Sequence, residues 1–136
     1  MKVDCFLDTN ILIYAASANE TELTKKTRAT ELLRVHFAIS TQVIQEFYAA
    51  GTRKPDKPLT PTEALDWIER LERQPCVMID LALIRTAIAI AQRYRIAYWD
   101  GAILAAAERL GAEIVYTEDL NHGQSYGSVR VINPFL

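Results

Sequence analysis

The chain has little of what marks a stapled, membrane-bound or polyanion-seeking protein. It holds only two cysteines in 136 residues. Both Cys5 and Cys76 fall inside apolar, strand-like stretches without a metal-type spacing, so they read as reduced core residues and exclude a disulfide scaffold or a soft-metal site. No apolar run approaches the length of a membrane span, and Asp4 and Asp8 interrupt the stretch where a signal peptide needs an unbroken apolar segment. The expectation is a cytoplasmic protein with no membrane partner. An excess of positive charge is lacking too, since 15 Lys and Arg against 17 Asp and Glu give a net charge of −2. Nucleic-acid binding would therefore rest on local basic patches or on a metal ion at the contact. Two such patches exist, Lys25, Lys26 and Arg28, then Arg53, Lys54 and Lys57, although charged faces commonly only meet solvent. No repeat or low-complexity segment occurs, and the one linker-like stretch, Arg53 to Pro61, is too short to divide domains. Half of the residues are hydrophobic, enough for one core in a chain too short for two, so residues 1–136 are expected to form a single domain.

The pattern of those apolar residues organises the chain around Val3 to Tyr14. Val3, Cys5, Phe6 and Leu7 read as a short buried strand, and Ile11 to Ala16 as a helix. A longer helix is expected over Glu20 to Val35, a second strand over His36 to Ile39, and a helix from the cap residues Ser40 and Thr41 to Gly51 with Val43, Phe47 and Ala50 inward. Thr62 to Arg73 reads as an amphipathic helix with Ala64, Leu65, Ile68 and Leu71 inward, stopped before Pro75. Then follow a strand over Cys76 to Ile79, an apolar helix over Leu81 to Tyr94, and another over Ala97 to Leu110, with Ile103, Leu104, Ala107 and Leu110 buried and Gly111 at its end. Ile114 to Tyr116 and Val129 to Ile132 are the last strands, with a Gly-rich loop between them. Strands alternating with helices indicate an α/β fold whose parallel sheet is covered on both faces.

Four carboxylates occupy matching places in that pattern. Asp8 and Asp119 each follow a strand, Glu46 lies about one turn into the helix after the second strand, and Asp100 opens a helix, where the dipole favours negative charge. All four fall at the carboxyl edge of a parallel sheet, where ligands collect in open α/β folds. Each has a structural explanation of its own: Asp8 as a helix cap, Glu46 as a side chain snorkelling from the core border. Together they would repel one another, which makes sense mainly around a divalent cation, and all-oxygen ligation selects Mg²⁺ or Mn²⁺. Such a site acidifies a bound water for attack on phosphorus.

The strings F-L-D-T-N-I-L-I-Y, A-I-S-T-Q-V-I-Q-E-F-Y, A-Y-W-D-G-A-I-L-A-A-A and V-Y-T-E-D-L-N-H-G resemble, in order, the blocks of PIN-domain ribonucleases, in particular the VapC toxins of toxin–antitoxin modules. The resemblance covers nearly the whole chain. It implies a three-layer α/β/α sandwich with a central parallel sheet, Mg²⁺- or Mn²⁺-dependent endoribonuclease activity on RNA, a cognate antitoxin and a homodimer. The acidic positions carry over onto Asp8, Glu46, Asp100 and Asp119, and the family's polar positions onto Thr9 and Asn10, expected to position substrate; the places of Asp8 at a strand end and Asp100 at a helix start make these two the expected metal ligands. Asp119 matches the pattern better than its neighbour Glu118. Gly101 stands where many relatives have Ala, which should loosen that helix start, and His122 reads as a solvent-exposed loop residue, the alternative being that it contacts substrate itself. An aspartyl-phosphate phosphatase or a receiver domain needs a helper Lys late in the chain, and none follows Lys57. The remaining alternatives are an RNA-processing nuclease without an antitoxin and a non-catalytic binding module. Apolar positions on Ile11 to Ala16 and Thr62 to Arg73 are expected to leave a groove for an amphipathic antitoxin helix.

Overall fold

A computed structural model describes residues 3–18, 22–54 and 56–136. Its elements, in order, are β1 (Cys5–Leu7), α1 (Thr9–Ala16), α2 (Leu23–Leu32), β2 (Phe37–Ser40), α3 (Thr41–Gly51), α4 (Pro61–Leu71), β3 (Cys76–Val77), α5 (Leu81–Tyr94), α6 (Tyr98–Arg109), β4 (Ile114–Tyr116), β5 (Ser125–Tyr126) and β6 (Val129–Ile132). The strands form one sheet in the order β3-β2-β1-β4-β6-β5. Every neighbouring pair is parallel except β5 with β6. The sheet is thus mostly parallel, with an antiparallel strand at one edge that the sequence pattern did not indicate.

Successive strand residues point to opposite faces, yet all of β1 and β2 are buried. Both faces of the central strands are therefore covered, as the alternation of strands and helices required. Phe6, Leu7, Ile11, Leu12, Ile39, Val43, Phe47 and Val115 are among the large side chains fully buried in the core. Side-chain chemistry sets several helix starts. Ser40 caps α3 by accepting from the Val43 amide at 3.3 Å, and Asp80 caps α5 through the Leu83 amide at 2.9 Å. Thr60 and Glu63 form a reciprocal capping box at α4. Asp80 also holds Arg109 in a two-pronged pair at 2.9 and 3.0 Å, joining the start of α5 to the end of α6.

The α5 and α1 regions show how expectation and structure compare. α5, β4 and β6 have the expected bounds, whereas α1 starts two residues early, at Thr9, because Asp8 acts as its cap. The expected start of the next helix at Glu20 lies outside the described residues; α2 runs over Leu23–Leu32. β3 has two residues instead of four. Leu65 is 58 % exposed, and Trp67 takes its place on the inward stripe of α4, packing against Phe47 at 6.3 Å between ring centroids. Ala64, Trp67, Ile68 and Leu71 follow i, i+3, i+4 and i+7, and Leu65 lies off that line. Ala50 and Leu110 are half-buried, as is Cys76. Gly101 does not loosen α6. A methyl group there would lie 2.6 Å from the Ala87 carbonyl oxygen and 3.2 Å from the Ala91 Cβ, so the glycine is what lets α5 and α6 approach so closely.

Candidate active site

The carboxyl ends of β1, β2 and β4 lie side by side, so the residues that follow them share one edge. At the end of β1, Asp8 is 6 % exposed. Its Oδ1 accepts from the Thr9 amide and its Oδ2 from the Thr117 hydroxyl, both at 2.7 Å. The cap reading and the site reading are both met, because the carboxylate that starts α1 also faces the cleft. Thr117, fully buried after β4, accepts from the Asp119 amide at 3.1 Å as well, so one hydroxyl fixes two of the acids. The Thr9 hydroxyl donates to Glu46 Oε1 at 2.8 Å, and Asn10 Nδ2 donates to Asp119 Oδ2 at 3.0 Å.

These contacts bring the expected residues together. Asp8, Thr9, Asn10, Glu46, Asp100 and Asp119 all line one cavity of about 420 Å³. Burial pushes the Asp8 carboxyl up to about 6, against the bonds from Thr117 and Thr9, and repulsion from Asp119 and Glu46 adds to the rise. Asp100 is raised for the same reasons, burial first and then Asp119 and Glu46. Glu118 turns away from the cavity. It accepts from the Tyr14 hydroxyl at 2.6 Å and from Lys25 at 3.1 Å, which leaves Asp119 as the acid at the fourth position. His122 takes no part; its Nδ1 accepts from the Asn133 amide at 2.9 Å.

The two basic clusters separate in the same way. Lys25 is held by Tyr14 and Glu118, Lys26 donates to the Ser17 carbonyl at 2.7 Å, and Arg28 reaches the Pro134 carbonyl and Glu31, each at 3.3 Å. Arg53 and Lys54 instead line the cavity beside the carboxylates. Sequence reasoning missed three lining or supporting residues. Thr117 carries no periodic signal; Gln42 lies one helical turn before Glu46, a spacing that places both on one face of α3; Trp99 precedes Asp100 and is 63 % exposed at the rim.

The donor set is all oxygen, as a hard divalent cation requires. Asn10 Oδ1 is buried without a hydrogen-bond donor in the same cavity, and the bond from Nδ2 to Asp119 fixes the amide with that oxygen left over. Among the described residues, no three Asp, Glu, His or Cys side chains converge closely enough to chelate an ion as they stand. Hydroxyl and amide donors hold Asp8, Glu46 and Asp119, so the residues fit a cation in kind, and ligation would exchange some of those donors for it.

The family model of the PIN domain matches residues 5–125. No curated protein matches the chain significantly. Among solved structures, a toxin–antitoxin complex from Klebsiella pneumoniae has a chain that superposes with a TM-score of 0.71 at 20% identity, over 96% of this chain and 97% of that one. VapC20 of Mycobacterium tuberculosis, a sarcin–ricin-loop-cleaving toxin, gives 0.69 at 17% identity over 93% and 98%. DNA-bound VapBC from Salmonella typhimurium gives 0.61 at 19% identity over 95% and 96%. At these identities the likeness is one of fold.

Proposed function

The chain belongs to the PIN-domain family, and from that premise we propose that it is a Mg²⁺- or Mn²⁺-dependent endoribonuclease acting as the toxin of a toxin–antitoxin pair. The observation that carries the reading is the meeting of Asp8, Glu46, Asp100 and Asp119 in one cavity, with Asp8 and Asp100 held toward their protonated forms by burial and mutual repulsion. A cation bound there would neutralise the acids and acidify a water for in-line attack on the phosphodiester. Asp8 and Asp100 are assigned as its ligands, with Glu46 and Asp119 completing the negative wall.

The surrounding residues aim that wall. The Thr117 hydroxyl orients Asp8, the Thr9 hydroxyl orients Glu46, and the Asn10 amide holds Asp119 while its own oxygen stays buried without a donor. Arg53 and Lys54 supply the phosphate contacts that the overall charge of −2 does not. The test is incubation of the purified protein with defined RNAs in Mg²⁺ or EDTA, with mapping of the ends. Cleavage is expected in Mg²⁺ only, and Asp8→Asn is expected to abolish it with the fold intact. A variant that cuts at the wild-type rate would remove Asp8 from the mechanism.

The toxin role rests on the family and on the toxin–antitoxin assemblies among its structural neighbours. On α1, Ile11 and Leu12 are fully buried, while Ile13 is half-buried and lines the cavity, and Leu65 on α4 is exposed. Expression of the chain alone in bacteria is expected to arrest growth, and co-expression of the protein encoded beside it to restore growth. A harmless chain that cuts RNA and ignores that neighbour would instead be an RNA-processing nuclease. Within this proposal the protein is a cytoplasmic homodimer built of a single nuclease domain. Among the described residues no helix is long and apolar enough to cross a membrane.

A further inference from the structure

Beside the carboxylates, and sharing Gln42, Glu46, Ala49 and Trp99 with their cavity, lies a second, shallower hollow of about 340 Å³. Trp99 leaves 63 % of its surface in water there. The ring is nonetheless held in place. Tyr98 braces it in a T-shaped contact, with centroids 5.0 Å apart and planes at 77°, and Gln42 Nε2 donates to the Trp99 backbone carbonyl at 3.2 Å, tying α3 to the first turn of α6. Gln42 is itself only 5 % exposed, and its Oε1 meets no donor. A buried acceptor left without a donor is costly, and because Gln42 lines the hollow, a small turn of its side chain toward a bound N–H there relieves the cost.

We infer that this hollow is a subsite for one unpaired nucleobase of the substrate, stacked on Trp99, with a base N–H supplying the donor that Gln42 Oε1 lacks. The inference rests on the nuclease reading above and names what the same cleft recognises. Trp99 is one residue from Asp100, so the base belongs to a nucleotide flanking the phosphate that the carboxylates would address. Arg53 and Lys54 line the adjoining cavity and suit the phosphates of that strand. An indole stacks on any base, and adenine, guanine, cytosine and uracil all carry an N–H on their Watson–Crick edge. The pair therefore selects for a base whose face and edge are both free, in a loop or single strand, without selecting its identity.

The experiment measures binding and cutting separately on a labelled single-stranded RNA and on a series with one abasic residue moved along it. In EDTA, Trp99→Ala is expected to weaken binding of the intact RNA about ten-fold or more, and Trp99→Phe to recover most of it. The loss is expected to vanish on the RNA whose abasic residue occupies the stacked position, and that position is expected to flank the cut made in Mg²⁺. Gln42→Leu should weaken binding of the same intact RNA and spare the same abasic one. Binding within two-fold of wild type for Trp99→Ala, or an equal loss on the intact and all abasic RNAs, would overturn the subsite and leave the indole to a protein partner. RNA that is bound through Trp99 but not cut would sink the nuclease reading and keep the subsite. RNA that is cut with no dependence on Trp99 would do the reverse, and a chain that neither binds nor cuts would end both.

Discussion

Replacing Asp8 by Asn isolates the energetic burden of the acidic cleft. The Asp8 carboxyl is raised from 3.8 to about 6, chiefly by burial. For an acid whose folded value exceeds its unfolded one, the unfolded chain holds fewer protons between the two values, so stability falls as pH rises from about 4 to about 6 and is level above that. A rise of that size corresponds to about 3 kcal/mol lost at neutral pH. Asn removes the charge and, as a cap, still accepts from the Thr9 amide. Its amide can donate to the Thr117 oxygen, but the Thr117 hydroxyl proton then loses its acceptor, at a cost of about 1–2 kcal/mol. The net gain for Asp8→Asn in EDTA at pH 7.5 is about 1–2 kcal/mol, roughly 5 °C in melting temperature for a chain of this size. Near pH 4 the gain should vanish or reverse. Added Mg²⁺ should raise the melting temperature of the wild type at pH 7.5, far less at pH 4, and little for the variant. Thermal denaturation at both pH values, with and without Mg²⁺, checks all of this. A variant that melts below the wild type at pH 7.5 in EDTA, or a difference independent of pH, would refute the account of Asp8 as a buried, mutually repelled acid.

Gly101→Ala should gain helix propensity and still lose stability, by about 1–3 kcal/mol, because its methyl group meets the Ala87 carbonyl at 2.6 Å; an unchanged or higher melting temperature would contradict the close approach of α5 and α6. Thr117→Val keeps the buried volume and removes the hydroxyl that serves Asp8 and Asp119. Chemical denaturation should show a larger loss above pH 6 than near pH 4, and an NMR titration should place the Asp8 carboxyl higher than in the wild type. Arg53→Ala and Lys54→Ala should each reduce the slope of log binding constant against log salt by about 0.7 for single-stranded RNA, measured in EDTA; an unchanged slope for both would move the phosphate contacts elsewhere.

The parts of this fold that could be read from the sequence are those with a repeated signal. α5 carries enough apolar positions in register to fix both ends, and β4 and β6 are apolar runs between clear turn residues. Three of the four acids were legible because Asp8 and Asp119 follow strands and Asp100 opens a helix, while Glu46 lies mid-way along α3 and was legible as a charge flanking its apolar face. Single contacts left no such trace. β5 is two residues between Gly123 and Gly127, both at positive φ, and its pairing with β6 depends on that turn more than on its own side chains. Leu65 and Trp67 are both apolar and two residues apart, and only the packing of Trp67 on Phe47 decides which faces inward. Gln42 and Thr117 are polar residues buried for one bond or two, a role set by neighbours 57 and 109 residues away along the chain.

The strand order has a consequence for when the cleft can form. β4 lies between β1 and β6, so the residue that orients Asp8, Thr117, and the acid that opposes it, Asp119, arrive only after β4 has paired with a strand made more than a hundred residues earlier. While the ribosome is still adding α6, a growing chain holds Asp8, Glu46 and Asp100 but neither Thr117 nor Asp119. The cleft is therefore complete only after β4 has joined the sheet and brought Thr117 and Asp119 beside Asp8.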